Sequence, residues 1–79
     1  MANLEKYNQV FMDVFHVPET ELADLKHHGI EAWDSMGHMQ MIAALEEAFD
    51  IMIDIDDVIA IDSYAKGKEI LKKYAVEIG

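Results

Sequence analysis

The stretch WDSMGHMQMIAALEEAFD, residues 33–50, decides how this chain is read. Asp34-Ser35 sets two short polar side chains ahead of an apolar periodic run, the signature of a helix start. Met36, Met39, Ile42, Leu45 and Phe49 then recur at spacings of three and four. That period predicts a helix with this stripe turned inward.

Toward the N-terminus, no period persists from about Pro18 to Trp33, so a long loop is expected, with a short turn near residues 21–25 and with Ile30 and Trp33 as its anchors. Ahead of it, Leu4, Tyr7, Phe11 and Val14 share one helical stripe, which predicts a helix from about residue 3 to about residue 15. Val17-Pro18 ends it, because proline lacks the amide the ladder needs and pushes the preceding residue out of helical angles.

Toward the C-terminus, Ile51, Ile53 and Ile55 alternate as a strand would, but no other segment offers a partner strand. An apolar loop leading into a short helix near residues 56–61 is expected instead. Asp62-Ser63 is a second cap signal, followed by the stripe Tyr64, Gly67, Leu71 and Tyr74. The expected fold is all-α: a small four-helix bundle with a long first loop and a short third helix, one domain over residues 1–79.

Composition agrees with a packed helical domain. The 79 residues are 52% hydrophobic with one proline and four glycines, too apolar for a disordered acidic tail, and too few to build a large catalytic cleft. Cysteine is absent, so packing rather than disulfides or thiolate zinc must hold the fold. Sixteen acidic residues against six lysines give a formal charge of −10, which disfavours a nucleic-acid partner. From Asp13 to Asp62 only Lys26 offsets the carboxylates, whereas Lys66, Lys68, Lys72 and Lys73 gather near the C-terminus. The middle of the molecule is therefore expected to attract basic surfaces. The opening MANLEKYNQV lacks the basic start and apolar run of a secretory signal, and no stretch is long and apolar enough for a membrane span, so a cytoplasmic monomer is expected.

The chemistry centres on Ser35. A hydroxyl at the mouth of a helix places any phosphate ester it carries against free backbone N–H groups and the positive end of the helix dipole. Asp-Ser ahead of a helix is in most proteins only a cap. His38 lies three residues on, the spacing of a nucleophile and base on one helical face, but no Gly-x-Ser-x-Gly turn surrounds Ser35. His27, His28 and His38, and Asp50, Asp54, Asp56 and Asp57, do not follow metal-ligand spacing. Val58 and Ile59 interrupt where a calcium loop requires its pattern, so no metal site is expected and these side chains read as solvated.

Three segments taken together, Asp34-Ser35-Met36, Leu45-Glu46-Glu47-Ala48-Phe49-Asp50-Ile51, and the run from Asp54 to Asp57 with the helix start Ile61-Asp62-Ser63-Tyr64, resemble the acyl carrier protein family. The resemblance runs from about Leu4 to Tyr74. It implies that Ser35 receives 4′-phosphopantetheine from coenzyme A through a magnesium-using phosphopantetheinyl transferase, with Asp34 assisting the transfer. The arm's thiol then holds acyl groups as thioesters for fatty-acid, polyketide or other specialised acyl biosynthesis, and the carrier is not itself an enzyme. An aminoacyl or peptidyl carrier would use the same serine. A cofactor-free acidic helical adaptor shares the charge and the helices but has no need of Ser35.

The same resemblance implies that acyl-transferring or acyl-activating enzymes with basic surfaces meet the chain along the second helix, through Met36, Gln40, Glu46, Glu47 and Asp50. It further implies a shelter for the acyl chain lined by Met36, Met39, Met41 and Met52 with Ile42, Ile55 and Ile59, since thioethers adapt to variable cavities, although for any single methionine an ordinary core stripe is the commoner reading. Gly37, His38 and Gln40 depart from the acidic or hydroxylated residues common there in fatty-acid carriers, which suggests a specialised route. The competing reading is drift, because glycine costs only about 1 kcal/mol relative to alanine inside a helix.

Overall fold

A computed structural model describes residues 3–78. The chain is all-α: α1 spans Asn3–Phe15, a 3-10 helix Glu19–Asp24, α2 Ser35–Phe49, α3 Ile55–Ala60 and α4 Tyr64–Lys72. No strand forms among the described residues, and residues 51–54 run as irregular chain into α3. The expected turn within the first loop is thus a full 3-10 helix, whose buried Leu22 fastens it to the core.

Each boundary has a local cause. His16, in the left-handed region at φ 56°, donates its amide to the Met12 carbonyl and turns the chain out of α1 ahead of Val17-Pro18. Asp34 caps α2 by accepting from the Gly37 amide at 2.8 Å, and Ser63 caps α4 by accepting from Lys66 at 3.0 Å. Asp50, at φ 54°, closes α2.

Aromatic side chains fill the centre. Trp33, Tyr7 and Phe11 are fully buried. Phe15 stacks on Trp33 with centroids 4.8 Å apart, while Phe11 meets Trp33 and Tyr64 edge-on at 5.6 and 5.4 Å. The Tyr7 hydroxyl donates to the Tyr64 carbonyl, and the Tyr64 hydroxyl to the Asn8 side chain, so the buried polar tips are satisfied. Burial, reinforced by Tyr64, pushes the Tyr7 hydroxyl far above its ordinary value, which keeps it a donor. A short bridge between Lys26 and Ser63, with His27 N–H donating to the Asp62 carbonyl at 2.8 Å, pins the first loop to the start of α4. Beyond α4 the chain turns at Ala75 (φ 63°), burying Val76 and Ile78.

The inward face of α2 differs from the expected stripe. The helix buries Gly37, His38, Met41, Ile42 and Leu45, whereas Met36 is 71% and Met39 52% exposed. A Cβ on Gly37 would run into the Ala32 carbonyl and crowd Phe15, so the chain crosses this helix too closely for any larger residue. Gly37 is therefore a packing requirement rather than drift. His38 enters the core because it can satisfy the Trp33 indole there.

Candidate functional site

Ser35 is the first residue of α2 and is exposed. Asp34 holds the Gly37 amide with its side chain, and its carbonyl accepts from His38 N–H at 2.8 Å. The amides of Ser35 and Met36, which no carbonyl within the helix can reach, point out of the helix end beside the serine hydroxyl. That end carries the positive pole of a helix of 15 residues, the longest among the described residues.

Ser35 also borders an open cavity of about 310 Å³ between α2 and α3, lined further by His27, His38, Met39, Ile55, Val58 and Ile59. Met39, Ile55 and Ile59 stand where an apolar shelter was expected. Ile42 does not: it is 3% exposed and belongs to the closed core, as does fully buried Met41. Met52, 85% exposed, lies outside the lining. The rotation of α2 explains the difference, since it turns Ile42 inward toward Leu45 and leaves Met39 on the rim.

His27 and Val58 line the cavity without having been singled out for it. Val58 carries a usable signal, being three residues after Ile55 on the same helix. His27 carries none, because it arrives from the first loop through a backbone bond to Asp62, 35 positions away in sequence.

His38 is buried, with both ring nitrogens engaged: Nδ1 accepts from the Trp33 indole at 3.0 Å, and Nε2 donates to the Val58 carbonyl at 2.6 Å. Neither nitrogen is presented to Ser35, so the spacing of three residues between them does not make a nucleophile–base pair.

Along α2, Met36, Gln40, Glu47 and Asp50 are exposed beside the cavity mouth or farther down the helix. Glu46 is half-buried and accepts from the Ile53 amide at 2.9 Å, which holds the irregular segment between α2 and α3. Exposed Ile55 and Ile59 face solvent from α3, with Asp54 and Asp56 exposed near its start.

Among the four aspartates read as solvated, Asp57 is the exception. It is buried, and its carboxylate accepts from Lys73 Nζ at 2.7 Å and from the Tyr74 hydroxyl at 2.5 Å. The hydrogen bond from Lys73, then that from Tyr74, hold its carboxyl below the usual carboxylate range, and the same bond raises Lys73. The Tyr74 hydroxyl in turn accepts from the Asp54 amide at 3.0 Å, so this cluster fastens the start of α3 to α4. No cluster of three or more potential ligands is grouped for a metal among the described residues, and no described helix is long and apolar enough to cross a membrane. The chain matches no family model, and no curated protein or solved structure matches it.

Proposed function

We propose that the chain is a carrier protein of four-helix-bundle type that holds acyl groups as thioesters on a 4′-phosphopantetheine arm at Ser35, and that it works in the cytoplasm. The observation that carries this reading is the placement of Ser35: an exposed hydroxyl on the first residue of α2, at the edge of an apolar cavity open to solvent. A phosphodiester on that oxygen meets the free amides and the positive helix end. An acyl chain folding back from the arm finds Met39, Ile55 and Ile59 within the adjoining cavity, each buried methylene contributing about 0.8 kcal/mol.

The exposed α2 side chains Met36, Gln40, Glu47 and Asp50 form the surface offered to basic partner enzymes, and Asp34 assists the transfer while capping the helix. The formal charge of −10 steers such partners.

The test is intact mass before and after incubation with coenzyme A, magnesium and a broad-specificity phosphopantetheinyl transferase. The expected result is a gain of one phosphopantetheine that disappears in Ser35→Ala. A folded sample that gains no mass beside a carrier that does would overturn the reading in favour of a cofactor-free adaptor.

A further inference from the structure

The cavity wall holds a histidine cluster that the carrier reading does not use. His27 stacks on His28 with centroids 4.1 Å apart and planes 12° apart, and on His38 at 4.8 Å and 18°. His38 joins three parts of the molecule: its own helix, Trp33 of the loop and the Val58 carbonyl of α3. Accepting at Nδ1 and donating at Nε2, it has both ring nitrogens occupied. The buried Nε2 of His27 makes no hydrogen bond among the described residues.

Little else holds α3 at this edge. The helix has six residues and buries only Asp57 and Val58, while Ile55 and Ile59 are 67% and 73% exposed. On the far side it is fastened by the Asp57 cluster with Lys73 and Tyr74, and buried Ile53 and Ile61 anchor the chain before and after it.

We propose that the stacked histidines are a proton-operated latch: neutral, they hold α3 against α2 and Trp33, and on acidification they release α3 and widen the cavity. A second proton on His38 must go to Nδ1, where it confronts the Trp33 N–H; that bond is lost, and a cation is left among imidazoles. Around His27, His28 of the loop and His38 of α2 disfavour charge, while Asp62 before α4 and Asp34 before α2 favour it. On α3 the buried acid, Asp57, is turned toward Lys73 and Tyr74, and Asp56 is exposed. Burial outweighs the carboxylates, so His27 sits below its ordinary 6.5. With His27 depressed in the fold, its share of the latch is complete above about 6.5 and is lost as pH falls below that. The latch requires nothing of Ser35, so its failure and that of the carrier reading are separable.

The experiment is two-dimensional NMR of the unmodified chain from about pH 8 to about pH 5, above the range in which Asp57 titrates. The Trp33 indole N–H and the Val58 and Ile59 amides are expected to move together as pH falls, with one shared midpoint. Hydrogen exchange of the α3 amides, corrected for its intrinsic pH dependence, should quicken about tenfold while α1 is unchanged. His38→Gln supplies a neutral acceptor and donor in place of the ring and should remove the transition. His27→Gln should move it to higher pH by taking away the neighbouring imidazole. Indole and α3 signals that stay flat in the wild type overturn the latch, as does a folded His38→Gln that follows the wild-type curve; if His38→Gln does not fold, the wild-type titration and His27→Gln decide.

Discussion

The two sides of α2 meet large apolar residues in opposite ways. On its inner side Trp33, Phe11, Phe15, Met41 and Leu45 are sealed, their rings stacked or edge-on. On its outer side Met36, Met39, Ile55 and Ile59 are more than half exposed around an open cavity. The residues are of similar hydrophobicity, so the difference lies in position. The first group supplies the free energy that keeps a small domain folded; the second stays in contact with solvent.

The most severe way to break this contrast is Trp33→Ala. Removing a fully buried indole should cost about 3–5 kcal/mol, a large share of the stability of a domain this small, and should leave the chain largely unfolded in a thermal melt followed by circular dichroism. Next comes Gly37→Ala, which propensity alone would make stabilising by about 1 kcal/mol. Because the Cβ runs into the Ala32 carbonyl, destabilisation of about 1–3 kcal/mol is expected in urea denaturation instead.

Asp57→Asn tests whether the far fastening of α3 is electrostatic. A carboxyl held below its ordinary value contributes stability that is present above about pH 4 and lost as pH falls through the folded value. The wild-type melting temperature should therefore drop as pH falls below about 4 more steeply than that of the variant, which is already lower at neutral pH. The smallest effect belongs to Ile59→Ala: 73% exposed, it should change stability by no more than about 0.5 kcal/mol. Under the proposed carrier function, the same change should weaken retention of a long acyl chain on a loaded arm, read as faster exposure of the thioester to hydrolysis.

How far the sequence carried this picture differs along the chain. α1, its end at Val17-Pro18, and the caps Asp34 and Ser63 were legible, because periodicity and capping are local and leave their marks within a few residues. The face of α2 was not. Residues 36, 39 and 42 and residues 38, 41 and 42 both satisfy helical spacing once histidine is allowed inside. The choice between them was made by Trp33, which needs an acceptor for its indole, and by Ala32, which leaves room only for glycine. Asp57 was misread for a similar reason. Its partners Lys73 and Tyr74 lie sixteen and seventeen positions away, and an acidic run gives no sign of which member turns inward. Ser35 was legible as a helix start, while the cavity beside it depends on where α3 docks.

The chain contains a single tryptophan, and Trp33 occupies the joint where the loop, α2 and the histidine stack meet. It is therefore a built-in optical reporter. An indole fully removed from water emits at short wavelength, and a charged imidazole in contact with it quenches that emission. Intrinsic fluorescence thus reads the Trp33–His38 contact in real time, without a label, and separates a local change at this joint from global unfolding by whether intensity alone changes or the emission maximum moves as well.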